Sequence, residues 1–284
     1  MKFVKYLAIC LSAVILAAIS LKGYEHVSAK EAQKISPSLS SKSIKPAVGA
    51  SLISSINNTL DKEPDGIDAA VSLVDLDSGK EYDAGQSTTL YKAASCAKVL
   101  AAIDYLHEVE TGLASLNQEI DGVNAQILLQ QMIEVSDDDS WTDINNYLGN
   151  QQQSYASQIG LSSFTGGEYN TMTASDMAKL LAMFYQGKLL NTDDRSLLLN
   201  YMSNTTSTNL IQAVLPAGAV VYHKYGQLWG YLNDAAIVSY QKHSYVLVVF
   251  TNNPDGTADE YNDQVNLIQT ISQLVFTNII NAKL

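Results

Sequence analysis

Cysteine is nearly absent from this chain, with Cys10 and Cys96 the only two in 284 residues. Cys10 lies in an apolar run near the N-terminus, so a chain processed after that run keeps Cys96 alone and forms no internal disulfide. Histidine is as sparse: His26, His107, His223 and His243 are scattered with no two at ligand spacing, so no zinc site, and no cofactor of any kind, is expected. Positive charge is short as well. The 17 Lys and Arg against 29 Asp and Glu leave a net −12, which argues against nucleic acid, whose phosphates need a basic surface. Phe is rare, five against sixteen Tyr, a balance that suits half-buried, hydrogen-bonding aromatics and names no function. No internal repeat is visible. What remains, 46% hydrophobic and 16% charged residues, suffices for one substantial core or two lobes sharing an interface.

The N-terminus reads as an export signal. Lys2 and Lys5 precede the uncharged run Tyr6–Leu21, and Val27-Ser28-Ala29 supplies a small-x-small site, so residues 1–29 are expected to be a secretory signal peptide. The run is shorter than the roughly 18–20 residues of a spanning helix; an uncleaved anchor, the one membrane contact foreseen, is the alternative. Cys10 follows Ile9, a poor match to a lipid-attachment box. Cleavage after Ala29 would remove Lys2, Lys5, Lys22 and Glu25, a net +2, and take the charge from −12 to −14. The mature protein is therefore expected outside the cell or in its envelope, as a monomer. Residues 30–50, rich in Ser and Lys with Pro37 and Pro46, read as a linker; its Lys excess would suit anionic wall polymers as well as plain solvation.

Residues 51–284 read as one domain. Leu52, Ile53, Ile56 and Leu60 have helical spacing, Ala69–Leu76 is a buried-strand run, and Asp77-Ser78-Gly79 turns into a second strand over Lys80–Ala84. From Ala93 to about Met202 the pattern is mainly helical. Strand signals return at Val220–Tyr225, Asn233–Tyr240 and Tyr245–Thr251, and Tyr261–Leu284 is one long amphipathic helix. The fold class is α/β or α+β: one antiparallel sheet built from both chain ends and flanked by helices, with an all-helical lobe inserted between its halves. The groove between the lobes is the expected site.

Three short motifs carry chemistry. Ser95-Cys96-Ala97-Lys98 opens a helical stretch, where residues three apart share a face. The helix N-terminus and desolvation both disfavour a Lys cation there, which favours a neutral amine able to take the Ser proton. Alone this is weak, because Ser239-Tyr240-Gln241-Lys242 fits the same spacing at a strand end. Ser136-Asp137-Asp138 follows one helix and precedes another, the place of an N-cap cluster. Lys224-Tyr225-Gly226 lies on a strand.

In this order and these settings, the motifs resemble the S-x-x-K, S-D-N and K-T-G signatures of class A β-lactamases and penicillin-binding proteins. Tyr91-Lys92-Ala93-Ala94, the stretch Thr173–Ala178, Gln186–Leu190 and Asn233-Asp234 fit the family's flanks, so the resemblance covers roughly residues 51–284. It implies Ser95 as nucleophile, Lys98 as an aid to its deprotonation, Ser136 as relay to the leaving nitrogen, and Lys224 as the field at Ser136 and the substrate carboxylate. The oxyanion hole would come from the N–H groups of Ser95 and Gln227. Asp138, Tyr225, Gly226 and Gln227 would face the substrate, a β-lactam or a peptidoglycan-derived peptide.

Three departures matter. Asp138 stands where the family has an amide that donates, and a carboxylate only accepts. Tyr225 replaces a short Thr hydroxyl. The family's E-x-x-L-N segment has no counterpart; Glu168, five residues before Thr173, is the nearby acid and reads more simply as a surface turn residue. A slow β-lactamase follows from this, with a wall D,D-peptidase-like enzyme and a non-catalytic binder of wall peptides as alternatives.

Overall fold

The first helix, α1 (Pro46–Leu60), begins inside the segment expected to be linker. Pro46 caused the difference: proline is a loop signal in sequence, yet at the first helical turn its missing N–H costs nothing. The computed structural model describes residues 46–62, 66–149, 151–167, 169–254 and 261–283, so the expected signal peptide lies outside them.

Five strands form one antiparallel sheet: β1 (Asp68–Asp75), β2 (Lys80–Gly85), β7 (Val220–Leu228), β8 (Tyr231–Tyr240) and β9 (His243–Asn252), in the order β2-β1-β9-β8-β7. Val71 pairs with Val249, so the first and last strands of the chain are neighbours, as the pattern at the two ends implied. Both faces of the sheet are covered, which explains why β1 is buried from Ala69 to Asp75 and reads as a continuous apolar run. Along β9 the faces alternate with the pleat. Leu247 and Val249 join Leu52 and Ile56 of α1 and Leu267 and Ile271 of α8 (Asn262–Lys283) in one core. Val246, Val248 and Phe250 join the helical lobe in the other.

That lobe holds α2 (Lys98–Glu110), α3 (Ala125–Glu134), α4 (Asp138–Leu148), α5 (Gln151–Gln158), α6 (Ala174–Tyr185) and α7 (Thr192–Ser203). Helix α2 is buried without a break from Lys98 to Leu106, the condition of a helix surrounded by others. Asn124, Thr173 and Asn191 cap α3, α6 and α7 with side-chain oxygens, each satisfying orphan N–H groups. The lobe also contains two-residue ladders that periodicity cannot detect: β3 (Tyr91–Lys92) with β6 (Thr171–Met172), and β4 (Glu119–Ile120) with β5 (Val123–Asn124).

Candidate active site

Ser95 sits in a 3-10 turn, Ala94–Ala97, that leads directly into α2. The residue before it, Ala94, has φ 49°, a left-handed conformation that costs a non-glycine residue energy and is held here by its surroundings. Ala93 N–H donates to Asn170 O at 3.0 Å, and Cys96 Sγ to Lys224 O at 3.1 Å. Strand β7 passes so close that a Cβ added at Gly226 would lie 2.6 Å from Ala93 O and 2.9 Å from Ser95 N. Glycine is required at that position by close approach, and the approach brings β7 against the turn that carries Ser95.

The joint between α3 and α4 supplies the second motif. Ser136 is also left-handed, at φ 61°. Asp137 does what its position predicts: its carboxylate caps α4 by accepting from Ser140 N at 2.7 Å, and the Ser140 side chain, followed by that backbone bond, holds its carboxyl below the usual range. Lys224, fully buried, donates from Nζ to Ser136 Oγ at 2.8 Å and to Tyr225 O at 3.2 Å. Burial pulls its pKa from 10.5 down to about 7, reinforced by the Lys98 charge and resisted by Cys96, Asp234 and Asp138. Lys98 is only 3% exposed. Its Nζ donates to Ser136 O at 2.7 Å, Asp137 O at 3.2 Å and Asp138 Oδ1 at 2.5 Å. Burial lowers its pKa, against the pull of Asp138 and Asp137.

Two adjoining cavities meet at the serine. One, of about 320 Å³, is lined by Ser95, Lys98, Asp138 and Gln227 together with Trp141, Tyr169 and Asn170. The other, of about 370 Å³, shares Ser95, Asp138 and Gln227 and adds Ser136, Tyr225, Trp229 and Tyr261. The residues the motifs singled out therefore converge on one cleft, and a hydroxyl, two amines and a second hydroxyl gather there. Such a set can activate a nucleophile and carry its proton to a leaving group. Tyr225 packs its ring against the α1–α8 core and carries Lys224 Nζ 4.5 Å from the ring centre, so its bulk is shared between core and cleft. Gly226 fixes the spacing of the walls and is itself buried. Glu168 lies outside the described residues. Among the described residues no cluster of metal-ligating side chains occurs.

Several supporting contacts were not foreseen, although Asn233 and Asp234 stand out in the sequence as flanks of the third motif. His223 Nδ1 and Asp234 Oδ1 are 3.0 Å apart with both side chains fully buried, and Asp234 Oδ2 accepts from Ile211 N. The pair locks β7 to β8 and to the short 3-10 helix Ile211–Val214. Asn233 donates to Lys92 O and accepts from Thr251 N, tying the approach to Ser95 to the sheet. Tyr169 and Trp229 meet edge to face at 5.1 Å, with Lys92 Nζ above both rings. The one sequence signal for these aromatics was Trp229 in a Leu-Trp-Gly turn, where an exposed indole has no structural need to be.

The β-lactamase enzyme family model matches residues 51–279. A Bacillus cereus protein named β-lactamase 3 is 32% identical over 116 residues, 40% of this chain; the chain spans 36% of that relative's length. Among solved structures, PBP-A superposes with a TM-score of 0.75 at 22% identity, covering 81% of this chain and 96% of its own. An ancestral class A β-lactamase gives 0.73 at 20% identity, over 80% and 99%. A β-lactamase from Chitinophaga pinensis gives 0.70 at 21%, over 80% and 98%. These solved structures establish the β-lactamase/transpeptidase fold. The sequence match over residues 51–279 goes further, and by it the chain belongs to the β-lactamase enzyme family.

Proposed function

We propose that this protein is an exported serine hydrolase that forms an acyl-enzyme on Ser95 with a β-lactam or a related cell-wall peptide amide, and that releases it slowly. The observation that carries the reading is the meeting of Ser95, Lys98, Ser136 and Lys224 at one cleft, from three separate stretches of chain. Ser95 Oγ attacks the carbonyl carbon and gives up its proton to the lysine-bearing network. The N–H groups of Ser95 and Gln227 stabilise the oxyanion, helped by the positive field at the start of α2. The C–N bond then breaks as Ser136 returns a proton to the nitrogen, leaving an ester on Ser95 that water must hydrolyse.

Slow release follows from what lines the cleft. Asp138 is the one carboxylate among the described lining residues, and it is engaged by Lys98. A general base contributes about 10²–10⁴-fold to a rate, so an ester without one over its water persists. A variant of PBP-A has been captured as an acyl-enzyme with penicillin G, and the same chemistry in this chain would place it between a slow β-lactamase and a wall peptidase. Labelling by a fluorescent penicillin tests the first step. The wild-type protein is expected to label and Ser95→Ala to remain dark while unfolding cooperatively; equal labelling of the two would remove Ser95 from the mechanism.

A further inference from the structure

We infer that Asp138 decides which of the two cleft lysines takes the nucleophile's proton: it commits Lys98 to the ammonium form, so the proton leaves Ser95 through Ser136 to Lys224. The inference rests on the acyl-serine reading above and assigns roles within it.

The argument is a count of donors and acceptors. Among the described residues, the hydrogen-bond partners of Lys98 Nζ are three acceptors: Ser136 O, Asp137 O and Asp138 Oδ1. An ammonium has three N–H donors and satisfies all three. A neutral amine has two, and its lone pair would point at an oxygen lone pair, on a lysine side chain that is only 4% exposed although its Asp138 partner is 85% exposed. With every Lys98 proton committed, no lone pair is left for the Ser95 hydroxyl. Lys224 Nζ has a different pair of partners, Tyr225 O and Ser136 Oγ. A hydroxyl both donates and accepts, so Lys224 fits equally as a neutral amine that donates to Tyr225 O and accepts from Ser136. In that form the path balances. Ser136 Oγ–H passes its proton to Lys224 Nζ as Ser95 Oγ–H passes its own to Ser136 Oγ. After attack, the proton returns from Lys224 through Ser136 to the leaving nitrogen.

The charges around the two amines point the same way. Lys98 is faced by Asp138 and Asp137 from the start of α4, and by Lys224 across the cleft. Lys224 is faced by Lys98, by Asp138, by the buried Cys96 thiol of the nucleophile turn, by Asp234 of β8, and by the Tyr225 ring. A cation at Lys98 disfavours a second one at Lys224, so fixing the first releases the second. An amide at position 138, as in the family's S-D-N, would offer an oxygen without a full charge. The carboxylate is what separates the two lysines. Acting through Lys98, Asp138 is a positioning residue.

The test follows the lysines directly in the full-length protein, labelled with 13C-lysine, by NMR of the Cε resonances between pH 5 and 10; Lys98→Arg and Lys224→Arg each remove one of the sixteen lysine signals and so identify the two. The Lys224 signal is expected to move with a midpoint near 7, and Lys98 to lose its proton only at a higher pH than Lys224. In Asp138→Asn, Lys98 should lose its proton at a lower pH, with the proton concentration at its midpoint at least tenfold higher than in wild type. A wild-type Lys98 that loses its proton before Lys224, or a Lys98 midpoint indifferent to Asp138→Asn, overturns the inference. These titrations need no substrate. If they come out as expected and penicillin never acylates Ser95, the lysine assignment stands and the proposed function falls.

Discussion

The cleft has two walls of unequal construction. The sheet wall is made by β7: Lys224 is buried beneath Ser136, Gly226 presses on the backbone of the nucleophile turn, and the His223–Asp234 pair locks the strand from behind. The opposite rim is a short turn from Thr165 to Thr171, closed by backbone bonds between those two threonines. It presents Tyr169 and Asn170 to the cavity, and its Tyr169 leans on Trp229, which is 59% exposed. The wall that would make the acyl bond is thus overdetermined by close packing and buried polar pairs. Of the rim's described residues, Tyr169 and Asn170 line the cavity. On the function proposed above, making and breaking the ester would draw on separate parts of the chain, and among the described residues the rim offers the cavity no carboxylate.

The largest effect expected from disturbing the sheet wall comes from Lys224→Met. Acylation by a penicillin should slow about 10²–10⁴-fold, measured by stopped-flow with a chromogenic substrate. Stability should move the other way. The folded pKa of Lys224 is near 7 against an ordinary 10.5, so between those values the unfolded chain binds the proton more tightly, and wild-type stability falls as pH drops from 10.5 to 7. The Met variant escapes that loss, and its advantage in thermal unfolding should be larger at pH 6 than at pH 10.5.

Next is Gly226→Ala. Its new methyl meets backbone atoms that have no room to give, and a shift of the nucleophile turn by about 1 Å costs on the order of 10²-fold in rate. An unchanged acylation rate would show that the two walls are less tightly keyed than the contact distances imply.

Removing the aromatic rim should matter less. Trp229→Ala and Tyr169→Ala are expected to change the apparent affinity for a penicillin several-fold while leaving the limiting acylation rate near wild type, in the same stopped-flow assay. A collapse of the limiting rate would move the rim into the acylation machinery.

The smallest effect on acylation is expected from Asp104→Asn, two turns along α2 from Lys98. Asp104 is buried, and burial together with Glu108 raises its pKa to about 7. Because the folded form holds its proton more tightly, wild-type stability is lost as pH rises from about 4 to 7, with about 4 kcal/mol as an upper bound. Denaturant melts of the Asn variant should therefore show a flatter profile over that range, with labelling of Ser95 unaltered.

Much of this was legible in the sequence. Strand alternation and a single long C-terminal helix disclose a sheet closed by the two chain ends, because periodicity reports burial directly. The motif serines and lysines are legible as well, since their order and element context narrow what a four-residue spacing alone does not. The orientation of Asp138 was not: the sequence shows a lost donor toward substrate, and the left-handed turn at Ser136 instead leaves the carboxylate paired with Lys98. His223 and Asp234 are eleven residues apart and meet only through the β7–β8 register, which composition does not encode. The contact of Tyr169 with Trp229 joins two turns from opposite lobes, and such tertiary meetings leave no local signal.

The central claim is that this cleft completes acylation and stalls before hydrolysis, and intact mass spectrometry against time tests it most directly. Protein mixed with a modest excess of penicillin G should gain one whole antibiotic mass, located on Ser95 by peptide mapping. That adduct should outlive its own formation by orders of magnitude, and Ser95→Ala should gain none. An adduct that never forms, or one that clears as fast as it forms while the penicillin is consumed, would contradict the account.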